Sequence, residues 1–309
     1  MNAFTIFINI VIILVCIVAI AKGATWLVDS ATKIARRLGI SELVVGLTIV
    51  AFGTSAPEFG VSILAALRDM PDISVGNIVG SNIFNLGFIL GGTAIIHSLR
   101  TNRTLIYRDG IFLLFGTILL TVLLWDLSLN YIEGVVLFAL LIGYLGYLYW
   151  KKEPIELEKP IGELHRRDIV TLLLGMGMVV GGSHILVESA IDVAREIGVS
   201  EWVIGVTIVA AGTSAPEFAT SLVAAMRGHH GMSIGNLIGS DLFNIFGVLG
   251  FAAIIHDLHV DASARSNLIV LSVMVLMVLI FMRTGWRLSR KEGVVLVAAG
   301  LFRWAYSFI

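Results

Sequence analysis

The sequence predicts an all-α polytopic membrane protein with ten transmembrane helices, arranged as two inverted five-helix repeats in which helices 2 and 7 are broken. Three observations support this prediction. Hydrophobic residues make up 57% of the 309 positions and charged residues only 14%, whereas charged residues make up about a quarter of a typical soluble domain. The chain contains the same unit twice, and its basic residues are spread unevenly between the loops.

Ten apolar runs are long enough to form transmembrane helices. They are 4–37, 42–67, 73–97, 107–125 and 131–150 in the first half, and 168–196, 201–226, 232–256, 266–283 and 289–309 in the second. The first and sixth runs exceed the ~20 residues that a bilayer requires, so we expect them to be tilted, bent or partly outside the membrane. Residues 151–167 are charged and contain two prolines, which indicates a linker between repeats at 1–150 and 168–309.

The two halves align without gaps at an offset of 159 residues. Between 39–97 and 198–256, 33 of the 59 aligned pairs are identical. Self-similarity of this kind indicates a duplicated structural unit. Inverted repeats are typical of secondary transporters, whose substrate site lies near the midplane where the repeats meet.

The positions of Lys and Arg indicate the orientation. Five spans is an odd number, so the second repeat must enter the membrane the opposite way up. With both termini outside, 16 Lys and Arg residues fall in inner loops and 4 in outer loops, as the positive-inside rule requires. Lys33 and Arg37 are replaced in the second repeat by Asp192 and Glu196, where the same loop faces outward. The sequence thus predicts outside termini and a cytoplasmic linker at 151–167.

One hexapeptide, Gly-Thr-Ser-Ala-Pro-Glu, occurs at 53–58 in the second predicted helix and at 212–217 in the seventh. Its proline lies about halfway along each helix, where it removes a backbone N–H and clashes with the preceding turn. We therefore expect both helices to break into half-helices. Broken backbone at membrane depth is tolerated only where it is buried in protein or lines a wet cavity.

The broken helices supply oxygen atoms of three kinds. The candidate donors are the backbone carbonyls around Ala51 and Phe52 and around Ala210 and Ala211, the hydroxyls of Thr54, Ser55, Thr213 and Ser214, and the carboxylates of Glu58 and Glu217. Ca²⁺ takes about 6–8 oxygen ligands of these types. Neither motif contains sulfur or imidazole, which argues against zinc or copper.

A capping role is the alternative for the two glutamates. Ser55-x-x-Glu58 and Ser214-x-x-Glu217 both have the spacing of a capping box, with proline in the first turn. An ionised carboxylate at the bilayer centre costs at least ~2.5 kcal/mol, however, and serine alone could cap the helix. Capping by itself therefore does not explain an acid at this position. Capping and cation binding are compatible, and both readings stay open at this point.

The third and eighth predicted helices share a second motif, at 76–85 and 235–244. Residues four apart lie on one helix face, which pairs Ser81 with Asn85 and Ser240 with Asn244; we expect these four to ligate the cation or to position its ligands. Asn77 and Asn236 are expected to join helices. Asp241 replaces the Asn82 of the first repeat, and the sequence leaves open whether it bonds across helices, lines a pathway or adds a third charge.

Together the two motifs resemble the alpha-repeats of the sodium/calcium exchanger branch of the cation/Ca²⁺ antiporter superfamily, in its prokaryotic form. The resemblance covers both halves. It implies ten helices, alternating access by sliding of the first and sixth helices, and Glu58 and Glu217 as ligands of Ca²⁺ that Na⁺ reuses. It completes the site with Thr54, Ser55, Ser81, Asn85, Thr213, Ser214, Ser240 and Asn244 and the carbonyls of Ala51 and Ala210. The family usually has Asn where this chain has Asp241.

The expected function is secondary active exchange of Na⁺ for Ca²⁺ across a prokaryotic inner membrane. K⁺ is not expected to take part, because K⁺-dependent relatives resemble this chain but have an acid at the position of Asn244. The alternatives are H⁺/Ca²⁺ exchange on the same fold and a passive cation channel. No Ser–His or paired-Asp motif supports an intramembrane protease, so no enzyme activity is expected. The expected partners are Ca²⁺, Na⁺ and the lipid bilayer, with no cofactor, nucleic acid or obligate protein partner.

Overall fold

The computed structural model describes residues 3–151, 165–199, 204, 208 and 210–306. Its helices are α1 (Ala3–Leu38), α2 (Glu42–Thr54), α3 (Ala56–Leu67), α4 (Pro71–Ile96), α5 (Leu105–Asp126), α6 (Tyr131–Trp150), α7 (Arg166–Glu196), α8 (Ala210–Gly212), α9 (Ala215–Met226), α10 (His230–Ile255), α11 (Ser263–Trp286) and α12 (Arg290–Tyr306). Four two-residue strands in the described part are β1 (Leu99–Arg100), β2 (Ser128–Leu129), β3 (Leu258–His259) and β4 (Arg287–Leu288).

Seven helices in the described part are long and apolar enough to cross a membrane: α1, α4, α5, α6, α7, α10 and α11. Helices α2 and α3 pass the same test together as a bent pair, which brings the number to as many as eight. The prediction of a helical protein that crosses the membrane several times is therefore confirmed. The count of ten stays a prediction, because 201–226 lies partly outside the described residues and α12 is described over 17 residues. Most of the predicted linker 151–167 also lies outside them.

The second predicted helix is bent where its proline predicts. The axes of α2 and α3 differ by 50°, and the residue between them, Ser55, has a non-helical ψ of 7°. Pro57 lies in the first turn of α3, where a missing N–H costs nothing. In the second half, Ser214 has the same ψ of 7° and α9 begins with Pro216 in its first turn.

The same contacts recur at the offset of 159 residues. Asn77 Nδ2 donates to Ser62 Oγ at 2.9 Å, and Asn236 Nδ2 donates to Ser221 Oγ at 3.0 Å. Each pair joins two neighbouring helices, as the sequence predicts for these asparagines. The strands also recur at this offset, since β3 is the counterpart of β1 and β4 the counterpart of β2. Each strand pairs antiparallel with a strand of the other half, β1 with β4 and β2 with β3.

The centre of the molecule is formed by α4 and α10. Their most apolar windows are 72% and 78% buried, whereas those of α1 and α7 are only 17% and 28% buried. Helices α1 and α7 pack on each other through glycines. A Cβ on Gly175 would lie 2.7 Å from the carbonyl oxygen of Gly23, and one on Gly23 would lie 2.9 Å from the carbonyl oxygen of Gly175. Only hydrogen fits at this crossing, so the two backbones are in direct contact.

Candidate cation site

Two carboxylates are buried at the helix breaks, beside the middles of α4 and α10. Glu58 lies in the first turn of α3 and Glu217 in the first turn of α9, and both are fully buried. The N-terminal end of a helix carries a partial positive charge that favours a carboxylate in its first turn. The breaks at Ser55 and Ser214 thus place each acid at a helix end inside the protein rather than along a helix flank.

The two serines bond across the repeats. Ser55 Oγ donates to Glu217 Oε1 at 3.2 Å, and Ser214 Oγ donates to Glu58 Oε1 at 3.1 Å. Neither serine side chain caps the helix that follows it. The capping boxes that the spacing allowed are therefore not formed, and each serine instead ties its own repeat to the acid of the other.

Further hydroxyls surround Glu217. Ser240 Oγ on α10 donates to Glu217 Oε1 at 3.3 Å. Thr54 Oγ1 lies 3.4 Å from Ser240 Oγ and donates to Asn236 Oδ1 at 3.2 Å. Asn236 therefore bonds to Thr54, a candidate ligand from the first repeat, as well as to its neighbouring helix. Glu217 thus accepts hydroxyl hydrogen bonds from Ser55 and Ser240, and Glu58 accepts one from Ser214.

The Ala51 carbonyl is not freed by the break. It accepts the N–H of Ser55 at 3.0 Å, as in a continuous helix turn. The Thr54 hydroxyl lies 3.3 Å from the same oxygen and 3.2 Å from Asn236 Oδ1, and its single hydrogen serves one of these two acceptors at a time. Ala210, its counterpart, begins the short helix α8. Ser81 is buried in α4, one turn before Asn85.

Amide and acid side chains of α4 and α10 form a second set of bonds across the repeats. Asn85 Nδ2 donates to Asp241 Oδ1 at 2.9 Å, and Asn244 Nδ2 donates to Asn82 Oδ1 at 2.9 Å. Asn82 Nδ2 also donates to the backbone carbonyl of Asp241 at 3.2 Å. Of the three roles left open for Asp241, bonding across helices is the one seen. Asn82 was missed by sequence reasoning, although its repeat partner is the single acid in the motif.

The helices widen at these amides. Residues Asn85–Leu90 and Phe243–Leu249 are π-helical, a wide-turn geometry that is rare and often found at functional sites. Asn85 begins the first segment and Asn244 is the second residue of the other. The wide turns therefore occur at the two positions where the motifs place candidate ligands.

Several oxygen atoms of the site have no hydrogen-bond partner among the described residues. They are Glu58 Oε2, Glu217 Oε2, Asn85 Oδ1, Asn244 Oδ1, Asp241 Oδ2 and Thr213 Oγ1. Buried polar atoms are normally hydrogen-bonded, and carboxylate, amide and hydroxyl oxygens are the ligands that hard cations prefer. These atoms make the cluster a candidate cation site.

Asp241 does not join the two glutamates as a third carboxylate around one point. Within the described residues, no three His, Cys, Asp or Glu side chains come together in a group able to hold a metal ion. The candidate site is thus built from two acids and a larger number of neutral oxygen atoms. Such a donor set suits Ca²⁺ and Na⁺ better than it suits zinc or copper.

Comparison with known proteins identifies the family. The family profile described as "Sodium/calcium exchanger protein" matches residues 8–150 and again 168–302. The chain is 34% identical over 336 residues to sodium/calcium exchanger MaX1 of Methanosarcina acetivorans, covering 94% of this chain and 95% of that protein. It is 30% identical over 308 residues to inner membrane protein YrbG of Escherichia coli, covering 95% and 94%.

A solved structure agrees with these sequence matches. The sodium-calcium exchanger NCX_Mj, soaked with 10 mM Na⁺ and 10 mM Sr²⁺, superposes with a TM-score of 0.87 at 32% identity, covering 97% of this chain and 98% of that one. The likeness therefore extends over both halves and includes the fold as well as the sequence. The chain belongs to the sodium/calcium exchanger protein family.

Proposed function

We propose that this chain is a secondary active antiporter that exchanges Na⁺ for Ca²⁺ by alternating access and does not require K⁺. The observation that supports it best is the pair of reciprocal bonds from Ser55 to Glu217 and from Ser214 to Glu58. They bring two buried carboxylates into one cluster, and each keeps an oxygen without a partner among the described residues. Two negative charges balance one Ca²⁺, or two Na⁺ ions that replace it.

The ligands in this proposal are twelve residues of the two motifs. They are Glu58, Glu217, Thr54, Thr213, Ser55, Ser214, Ser81, Ser240, Asn85 and Asn244 by side chain, and Ala51 and Ala210 by carbonyl. Ca²⁺ requires fewer ligands than this, so the same cage has oxygens to spare for Na⁺ at neighbouring positions. An ion that binds the Ala51 carbonyl would lie beside the Thr54 hydroxyl, whose oxygen is 3.3 Å from this carbonyl oxygen.

Ten helices in two inverted repeats, at 1–150 and 168–309 with a cytoplasmic linker at 151–167, complete the proposal. Both termini lie outside an inner membrane. The recurrence of contacts at a fixed offset supports the repeats, and the uneven distribution of basic residues supports the orientation. The α1–α7 pair is the moving element in this proposal, and its two helices pack backbone to backbone at Gly23 and Gly175.

Ca²⁺ uptake into proteoliposomes tests the function. The purified protein is reconstituted, and radioactive Ca²⁺ is offered with an outward Na⁺ gradient or with a pH gradient. We expect the Na⁺ gradient to drive accumulation, because hydroxyl and amide oxygens are ligands for Na⁺, whereas a proton needs only a carboxylate. Accumulation driven by the pH gradient and not by Na⁺ would establish H⁺/Ca²⁺ exchange instead, and equilibration without either gradient would indicate a channel.

Neutral variants of the two acids test the site. Glu58→Gln and Glu217→Gln should each abolish Na⁺-driven uptake, because one missing charge leaves a divalent cation undercompensated in a buried place. Glu133→Gln is the matched control, since Glu133 sits in a complete capping box with Asn130 at the start of α6. Near-normal uptake by either site variant would remove that acid from the cation site.

A further inference from the structure

We propose that Asn82 and Asp241 are positioning residues, which turn the amides of Asn244 and Asn85 so that their carbonyl oxygens are presented to the cation. The proposal rests on the proposed function, since it concerns how ligands of that site are held. Neither Asn82 nor Asp241 is itself required to touch the ion. Each acts through an amide that belongs to the other repeat.

The geometry is reciprocal. Asp241 Oδ1 on α10 accepts Asn85 Nδ2 from α4 at 2.9 Å, and Asn82 Oδ1 on α4 accepts Asn244 Nδ2 from α10 at 2.9 Å. All four side chains are buried. In both pairs the bond uses the amide nitrogen, and the amide oxygen is left without a hydrogen-bond partner among the described residues.

A fixed amide orientation matters for a cation ligand. The side-chain amide of asparagine has an acceptor oxygen on one side and an NH₂ donor on the other, and the two are nearly equal in size. Its terminal torsion is broad and roughly two-fold, so packing alone selects poorly between the two orientations. A cation binds one orientation and is repelled by the other. An acceptor placed against the nitrogen excludes the wrong orientation before the ion arrives.

Asp241 performs this task through an acceptor oxygen and does not need its charge for it. Its second oxygen, Oδ2, has no hydrogen-bond partner in the described part of the chain. Asn82 shows that an amide serves equally well, because its Oδ1 holds Asn244 while its Nδ2 donates to the backbone carbonyl of Asp241 at 3.2 Å. By the same symmetry, the side-chain nitrogen of an asparagine at position 241 could donate to the backbone carbonyl of Asn82.

A double-mutant cycle between Asp241 and Asn85 tests the coupling. Ca²⁺ affinity is measured by calorimetry on the purified full-length chain in detergent, for Asp241→Leu, Asn85→Ala and the double variant. One hydrogen bond contributes about 0.5–1.5 kcal/mol net, so Asp241→Leu should weaken Ca²⁺ binding by about 2- to 10-fold. In the Asn85→Ala background the same change should have no further effect, because the amide it positions is gone.

The conservative variant separates position from charge. Asp241→Asn should recover most of the affinity that Asp241→Leu loses. Equal losses in the two variants would show that Asp241 acts by charge, and additive losses in the double variant would show that it does not act through Asn85. Either result overturns the proposal.

If Asp241→Leu does not fold, a second double-mutant cycle, between Asn82 and Asn244, still tests the proposal. Asn82→Leu and Asn244→Ala should be coupled in the same way. Asn82→Asp keeps the acceptor oxygen for Asn244 but loses the donor to the Asp241 carbonyl, so it should recover part of the affinity that Asn82→Leu loses. Additive losses here overturn the proposal for this pair. Calorimetry also separates this proposal from the proposed function: wild-type protein that binds Ca²⁺ but shows no Na⁺-driven uptake disproves exchange, while the cycle is still decided by binding.

Discussion

Removing the Ser214 hydroxyl should weaken Ca²⁺ binding more than removing the Ser55 hydroxyl, although the two serines occupy equivalent places in the repeats. The difference follows from the donors that remain. Ser214 Oγ donates to Glu58 Oε1 at 3.1 Å. Glu217 would lose Ser55 but keep Ser240 at 3.3 Å. The two acids are thus held with unequal redundancy.

The expected magnitudes follow from the strength of hydrogen bonds to charged groups. Such a bond contributes about 1.5–3 kcal/mol, so Ser214→Ala should weaken Ca²⁺ binding by about 10- to 150-fold. For Ser55→Ala the carboxylate of Glu217 stays anchored by Ser240, and the loss should be nearer that of an ordinary hydrogen bond, about 2- to 10-fold. In the proposed site the oxygen without a hydrogen-bond partner is the one available to the ion, so the serines are expected to act mainly by holding the other.

Calorimetry with purified protein measures this ranking. Ser266→Ala is the control, because Ser266 is exposed on α11 and its hydroxyl donates to the backbone carbonyl of Ser263. Ser214→Thr restores a hydroxyl at the critical position and should recover part of the affinity. Equal losses in Ser55→Ala and Ser214→Ala, or a larger loss in Ser55→Ala, would refute the assignment of unequal anchoring.

Three further predictions concern orientation, ion requirement and motion. Cysteines introduced at Glu156 and Ser128 should be labelled by impermeant reagents from opposite sides of the membrane, and labelling from one side would disprove the orientation. Replacing K⁺ by choline should leave Na⁺-driven Ca²⁺ flux unchanged, because the amide of Asn244 adds no charge to hold another cation; a large loss of flux would show K⁺ dependence. Gly175→Leu should reduce transport at least about tenfold while Ca²⁺ binding in detergent persists, since its side chain would strike the α1 backbone. Gly177→Leu, at a position with open space around it, should transport normally, and equal losses in both would argue against α1–α7 sliding.

Local rules were sufficient to predict the acids and the breaks. Pro57 lies inside an apolar run, and a proline in such a position predicts a broken helix. The second copy of the motif predicts a second break in the other repeat. The bend at Ser55 and the burial of Glu58 and Glu217 agree with that reasoning. The same rules suggested capping boxes, and there they failed. Neither serine oxygen accepts a backbone N–H of the helix that follows it, and each hydroxyl instead donates to the glutamate of the other repeat.

The bonds between the repeats were beyond sequence reasoning. Whether Ser55 reaches Glu58 or Glu217 depends on how two distant segments are placed, which no spacing along the chain encodes. The role of Asn82 was missed for the same reason, since its contact is with Asn244 of the other repeat. Each of these features is a tertiary property, and each involves two segments whose relation appears only after folding.

The pairing of each short strand with a strand of the other half has a consequence for the order in which the protein folds. Leu99 in β1 meets Leu288 in β4, and Ser128 in β2 meets His259 in β3. Contacts so far apart along the chain close late, because the loop between them must first be made and then brought together. Before the second half is made, β1 and β2 have no partner strands and Glu58 has no Ser214 hydroxyl beside it. The proposed cation site takes ligands from both halves, so neither half can form it alone.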